Sequence, residues 1–252
     1  MRAVGIIKIS TNLRVETGLH IGAQMAGISI GATDNPVIKI NGVPYIPGSS
    51  LKGKIRSLLE LAHGVKFNRD GRHECSGEAC DICTVFGRSG NLKGSEGQTR
   101  VIFRDAYVNE KMSDEYARNN NYVEIKYENV IDRIRGTVRR GGLRDVERVL
   151  PGTVFDVEIA FRVFESDVNG EEIRDLSQFP EKLKSLFGLV LEGMRMLEDD
   201  CLGGCGSRGY GKVKFGNIRI SYTPTNAYRG DGETIDIFSG SLDAAIKSLK
   251  GT

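Results

Sequence analysis

Proline is scarce at 6 residues, and the abundant glycine follows no Gly-X-Y period, so a collagen-like chain is excluded. No apolar run reaches the roughly 18 residues that a membrane-spanning helix requires. The opening stretch, Met-Arg-Ala-Val-Gly-Ile-Ile-Lys-Ile-Ser, is interrupted by Lys8 and Ser10 and carries no export-signal core or cleavage site. A cytoplasmic location is therefore expected, with the five cysteines serving as metal ligands or buried thiols rather than disulfides. Net charge is also lacking, since 35 basic side chains against 33 acidic ones leave +2. Any nucleic-acid site must then arise from local clustering of charge.

The chain does have the means to build a core. Of its 252 residues, 39% are hydrophobic and 27% charged, which excludes wholesale disorder. Glycine accounts for 32 residues, well above the usual share of about 7%, and these belong in turns and at close backbone approaches.

Alternation marks the first strand: Ile7, Ile9, Thr11, Leu13 and Val15 on one face, Lys8, Ser10, Asn12, Arg14 and Glu16 on the other. Glycine-rich sequence from Gly18 to Gly31 shows no period. Pro47-Gly48-Ser49-Ser50 is expected to cap a helix with the apolar stripe Leu51, Ile55, Leu58, Leu59 and Ala62, ended by His63. Val101 to Val108 reads as a second strand, and Phe155, Val157, Ile159, Phe161 and Val163 as a third. Leu183, Leu186, Phe187, Val190, Leu191, Met194 and Leu197 mark a long amphipathic helix. Lys212 to Tyr222 is the fourth strand. The order β-α-β-β-α-β predicts an α+β, ferredoxin-like (RRM-like) fold: an antiparallel sheet with two helices on one face. Residues 1–222 form this unit, residues 64–99 and 110–150 are insertions without a core pattern, and residues 223–252 are expected to be a peripheral tail.

Long insertions are where function tends to reside. The first contains His73-x-Cys75 and Cys80-x-x-Cys83, four ligands that suit a closed tetrahedral structural Zn2+ site. The segment has too few apolar residues to order itself by burial, so metal binding would supply its stability. Unligated thiols on a loop are the alternative. Ser49, Ser50, Lys52, Lys54 and Arg56 lie at a helix start, where free N–H groups favour phosphate, although a solvated basic face fits them equally well. The second insertion has six arginines between residues 131 and 148, among them Arg133 and Arg139, against Asp132, Asp145 and Glu147. Arginine binds phosphate in a fork and stacks on bases, but a salt-bridged surface hairpin would have the same composition. Gly204-Cys205-Gly206-Ser207-Arg208-Gly209 matches a dinucleotide fingerprint only formally, because it follows a helix and precedes a strand. What remains is a glycine loop around Arg208 that can lie against another backbone. Asp34 stands in a turn-forming segment, where an aspartate is usually structural, and His20 is placed to share its site.

Gly18-Leu-His-Ile-Gly22, Gly31-Ala-Thr-Asp-Asn-Pro-Val37, Ile46-Pro-Gly-Ser-Ser-Leu-Lys-Gly-Lys-Ile-Arg56, Glu128-Asn-Val-Ile-Asp-Arg133 and the loop Gly203 to Gly211 together resemble the RAMP superfamily of CRISPR proteins. More narrowly they resemble the repeated backbone subunit of the type III-A (Csm) effector, over about residues 5 to 222. The resemblance implies a filament of identical subunits along a CRISPR RNA, with other Csm effector subunits as partners. The palm and a thumb hairpin at about residues 123–150 would grip the guide. Complementary single-stranded target RNA would be cut at regular intervals. It implies Asp34 as the catalytic residue and a catalytic divalent cation, Mg2+ or Mn2+. Guide contacts would come from His20, Ser49, Ser50, Lys52, Lys54, Arg56, Arg133, Arg139 and Arg208, and His73, Cys75, Cys80 and Cys83 would form a zinc lid. A type III-B backbone subunit, a non-catalytic guide-binding scaffold and a stand-alone RNA-processing nuclease are the competing readings.

Overall fold

A computed structural model describes residues 2–23, 33–71, 73, 75, 80–88 and 98–251. Most of the glycine-rich stretch after the first strand, Gly31 and Ala32 of the Asp34 turn, and much of the first insertion lie outside the described residues.

In chain order, strand β1 (Ala3–Val15) is followed by the short hairpin β2 (Lys39–Ile40) and β3 (Val43–Ile46), then helices α1 (Gly48–Ala62) and α2 (Asp81–Phe86). Next come β4 (Val101–Phe103), β5 (Ala106–Val108) and α3 (Glu115–Asn119). A projecting double hairpin follows: β6 (Val123–Glu128), β7 (Ile131–Asp132), β8 (Thr137–Val138) and β9 (Arg144–Val149). The second half contains β10 (Val154–Phe164), α4 (Glu165–Val168), α5 (Glu181–Asp199), β11 (Val213–Phe215), β12 (Ile218–Pro224), β13 (Ile235–Gly240) and α6 (Leu242–Lys250).

The main sheet runs β13-β12-β1-β10-β5-β3-β2, with β11 beside β1 and β4 beside β10. Strand β1 pairs antiparallel with both β10 and β12. The expected β-α-β-β-α-β order is present, with the second and fourth strands each broken in two. Alternation decides which face is covered. Ile7, Ile9, Leu13 and Val15 join Phe155, Val157, Ile159, Phe161 and Val163 in one buried cluster with Leu51, Ile55 and Leu59 of α1 and the apolar stripe of α5. Phe187 of α5 is fully buried and meets Phe161 and Phe179 edge-on, with ring centroids 5.5 and 5.7 Å apart. Helices α1 and α5 touch at Gly193, where a β-carbon would lie 2.4 Å from the Ile55 side chain. No helix among the described residues is long and apolar enough to cross a membrane.

Two expectations need correction. The serines do not cap α1: its N-cap is Pro47, which offers no side-chain acceptor, and Asp105 accepts the Gly48 N–H at 2.8 Å instead. The last thirty residues are not peripheral either. Strand β13 extends the sheet on β12, and α6 sends Leu242, Ala245 and Leu249 into the core cluster. The three-and-four spacing of those residues is a genuine helix signal, but it covers only nine residues within a polar stretch.

The double hairpin buries Val146 and Val149 at its base but carries the apolar residues towards its tip outward. Ile131 is 53%, Val138 52% and Ile134 98% exposed.

Replacing Phe187 by Ala removes the ring at the centre of this packing. The unfolding free energy should fall by about 3–5 kcal/mol, with an unchanged m-value in urea titration.

Candidate functional site

The site is organised by β9, the return strand of the hairpin. Leu19 and Val149 exchange backbone hydrogen bonds, which brings the segment after β1 alongside β9. The Glu147 N–H donates to the Asn35 carbonyl at 3.0 Å, and the Asn35 side-chain amide donates to the Asp145 carbonyl at 3.2 Å. The segment around Asp34 is thereby laid further along the same edge of β9, because residues 149, 147 and 145 turn their backbone groups the same way. Between them sits Glu147, only 7% exposed, whose carboxylate accepts the Val37 N–H at 2.9 Å and an ion pair from Lys39 at 2.5 Å. A carboxylate this buried is tolerated only because it is paired and hydrogen-bonded.

His20 is held from two directions. Its Nδ1 lies 2.7 Å from the Glu147 carbonyl, which can only accept, so in the neutral ring Nδ1 carries the proton and Nε2 is the remaining acceptor. Its own carbonyl accepts the Gly204 N–H at 2.9 Å. Gly203 makes that approach feasible. Its φ is +76°, and a β-carbon would lie 2.3 Å from the His20 oxygen. The glycine loop is therefore a platform against His20.

The same loop is latched to the hairpin by Glu128 of β6. Arg208 pairs with one carboxylate oxygen at 2.5 Å, and the Tyr210 hydroxyl donates to the other at 2.9 Å. Burial, and then the Glu128 carboxylate, push the Tyr210 phenol up to about 12. The ammonium of Lys126 and the guanidinium of Arg148 lie 4.6 and 5.1 Å from the Tyr210 ring centroid.

Asp34 is exposed, in the turn docked on β9. Its N–H donates to the Asp145 Oδ1 at 3.0 Å. The two carboxyl groups also interact. A hydrogen bond with the Asp145 carboxyl, followed by its negative charge, raises the Asp34 pKa, while the Asp34 N–H is the leading cause that lowers that of Asp145.

The basic residues at the start of α1 divide into two kinds. Lys54 is paired with Asp200, next to the glycine loop, at 2.8 Å. Arg56 is paired with Glu60 at 2.6 Å and donates to the Gly87 carbonyl at 2.9 Å, so it braces the helix against the end of α2. Lys52 has no acidic partner among the described residues. Burial, followed by repulsion from Arg56, lowers its pKa. Ser49 and Ser50 lie in the first turn of α1. Arg133 and Arg139 are exposed towards the hairpin tip, without acidic partners among the described residues. The structure thus gathers His20, Asp34, the glycine loop with Arg208, and the base of the hairpin around β9. Lys54 is tied to the loop through Asp200.

His73, Cys75, Cys80 and Cys83 converge separately, with their ligand atoms all within 4.8 Å of one another. The His73 Nε2 is 3.3 Å from both the Cys75 and Cys80 sulfurs, and the Cys75 and Cys83 sulfurs are 3.7 Å apart. A tetrahedral zinc with bonds of about 2.0–2.3 Å sets neighbouring ligand atoms about 3.5–3.8 Å apart. The His73 Nδ1 is 3.1 Å from the Lys66 carbonyl, which fixes the tautomer that presents Nε2 to a metal. Cys83 is pushed up to about 12 by burial and then by its thiol neighbours. Burial also raises Cys75, but hydrogen bonds led by the Cys80 N–H outweigh it and bring that thiol to about 7. This donor set can ionise fully only around a cation. The cluster is joined to the body by α2, where Asp81 accepts from Ser185 of α5 at 2.6 Å.

Asp145, Glu147, Glu128 and Lys39 were missing from the sequence-derived site. In sequence the first two count only as charge balance among arginines. The one available signal is Asp-Val-Glu on a strand, which places two acids on the same face.

A family model described as the RAMP superfamily matches residues 12–214. The protein named CRISPR system Cms endoribonuclease Csm3 in Methanocaldococcus jannaschii is 45% identical over 226 residues, covering 87% of this chain and 82% of its own. Its namesake in Methanothermobacter thermautotrophicus is 38% identical, covering 88% and 89%. That of Streptococcus thermophilus is 37% identical, covering 85% and 89%. Among solved structures, a chain of the Csm3–Csm4 subcomplex of the type III-A CRISPR-Cas interference complex aligns with a TM-score of 0.60. It is 28% identical, and the alignment covers 100% of this chain and 98% of that one.

Replacing Glu147 by Ala leaves Lys39 and the Val37 N–H without their partner. The full chain should lose about 3 kcal/mol of stability in chemical denaturation, and Glu147→Gln, which keeps one acceptor, should lose less.

Proposed function

The chain belongs to the RAMP superfamily and, within it, to the Csm3 family, and from that premise we propose that it is the repeated backbone subunit of a type III-A CRISPR ribonucleoprotein that cuts target RNA. The names of its relatives support an endoribonuclease rather than an inert scaffold, and its structural neighbour supports type III-A rather than III-B. The observation that carries the reading is the exposed Asp34, held on β9 beside His20 and at the base of an arginine-rich hairpin.

In this reading the main sheet and its covering helices, with β13 and α6 included, are a ferredoxin-like palm. Residues 64–99 form a zinc lid and residues 110–150 contain the thumb. The guide is a CRISPR RNA held by phosphate contacts. Arg133 and Arg139 on the thumb and Lys52 on α1 are the cations best placed to supply them, because no carboxylate among the described residues neutralises them. Lys54, Arg56 and Arg208 contribute as braces, and Arg208 reaches RNA once Glu128 releases it. Ser49 and Ser50 offer hydroxyls and N–H groups at the helix start, and the glycine loop lets the strand lie close to backbone. His20 presents Nε2 to the RNA. Copies of the subunit repeat along the guide, with other Csm subunits at the ends.

RNA carries its own nucleophile, the ribose 2′-hydroxyl. The protein need only align it in-line with the scissile phosphate and stabilise the charge that develops. Attack forms a 2′,3′-cyclic phosphate, and the proton of the hydroxyl is balanced by one delivered to the departing 5′-oxygen. Asp34 positions the scissile nucleotide. Its exposed carboxylate oxygens are hard donors of the kind Mg2+ or Mn2+ takes, and such an ion would supply Lewis-acid stabilisation of the phosphorane. DNA targets lack the attacking group and remain intact.

Incubating the assembled complex with complementary RNA and Mg2+ should give a ladder of regularly spaced products with 5′-hydroxyl ends. Asp34→Ala should reduce cleavage at least a hundredfold while target binding stays within about twofold. Uncut RNA with the native subunit would support the scaffold reading. For the lid, metal analysis of the purified chain should find one zinc per chain. Cys75→Ser or His73→Ala should abolish it and lower the thermal midpoint, and zinc affinity should fall as pH drops because the thiols must deprotonate.

A further inference from the structure

Asp145 has no place in the mechanism above, yet it makes the most direct contact with the proposed catalytic turn. It lies on β9, one residue after Arg144, which is paired with Glu128 across the hairpin. Its Oδ1 accepts the Asp34 N–H at 3.0 Å, and its carbonyl accepts the Asn35 side-chain amide at 3.2 Å. Asp34 is therefore fastened to β9 by the Asp145 side chain, while Asn35 is held by the backbone, through the Asp145 carbonyl and the Glu147 N–H. The contact is long in sequence, 111 residues between donor and acceptor, so no local turn geometry would hold Asp34 there in its absence. The next residue towards the core, Glu147, fastens Val37 in the same way. The turn thus hangs on alternate residues of one strand, and the hairpin that contains that strand also carries Arg133 and Arg139 towards its tip, without acidic partners among the described residues.

We propose that Asp145 is a positioning residue for Asp34: its carboxylate clamps the turn to the hairpin base, so that cleavage depends on where the hairpin stands. Binding by the arginines near the tip then reaches the reacting centre through one strand and one hydrogen bond. What the clamp requires is an acceptor oxygen at Oδ1, not a negative charge. This rests on the reading of Asp34 as the catalytic residue, and the test separates the two.

Asp145→Ala, Asp145→Asn and Asp34→Ala would each be assembled with guide RNA and the other subunits, and single-turnover cleavage and target binding measured side by side. Asp145→Ala should slow cleavage at least tenfold with binding within about twofold. Asp145→Asn retains a side-chain oxygen that can accept the same N–H and should restore the rate to within about threefold of native. Hydrogen exchange of the full chain gives a readout that does not depend on assembly. The Asp34 amide, and with it those of Thr33 and Asn35, should exchange faster in Asp145→Ala and at the native rate in Asp145→Asn. Native cleavage by Asp145→Ala beside an inactive Asp34→Ala would overturn the inference and leave the function standing. Equal loss in Asp145→Asn and Asp145→Ala would overturn it in favour of a need for charge. Cleavage by Asp34→Ala would instead overturn the assignment of Asp34.

Discussion

The buried carboxylate of Glu147 is the constraint on which the rest of the site depends. It accepts from Val37 and Lys39, its backbone N–H goes to Asn35, and its carbonyl meets His20. Four points on two separate segments are thus referred to a single residue of β9. Because a charge at that depth is stable only with its partners in place, the loops cannot drift from the strand without a large energetic penalty. Both loops thereby acquire the rigidity of a sheet at the candidate site.

Around that anchor the cations fall into two populations. Arg56, Lys54, Arg148 and Arg208 are committed to carboxylates and hold elements together, whereas Arg133, Arg139 and Lys52 face no acid among the described residues. The same residue type is held as a brace or left open to solvent, and only the neighbouring acids tell which. Glu128 illustrates the point: it closes the glycine loop onto the hairpin by taking both Arg208 and Tyr210.

This division explains what could be read from the sequence and what could not. Strict alternation over Ile7–Val15 and Phe155–Val163 predicted the two central strands, because a half-covered sheet imposes that period. The Cys and His spacing predicted a cluster, because ligands on one short segment must meet around a metal. That His20 and Asp34 share a site followed from their positions past the end of the first strand, and only the catalytic role of Asp34 came from the family resemblance. Contacts across more than a hundred residues were illegible. Nothing local distinguishes Glu147 or Asp145 from surface acids, nor Asp105 as the acceptor at the start of α1. Helix α6 was missed for a different reason, since its three core residues are too few to stand out from the charged sequence around them.

The outward-facing isoleucines of the double hairpin set how the free chain behaves in solution. Ile131, Ile134 and Val138 stand in water close in sequence to Arg133 and Arg139, which have no acidic partners among the described residues. At low ionic strength like charge keeps such tips apart. Added salt shortens the range of that repulsion and leaves the oily surface unchanged, so crowding and salting should promote clumping well before the fold itself weakens. The dilute, low-salt regime is therefore the colloidally quiet one for the unassembled subunit.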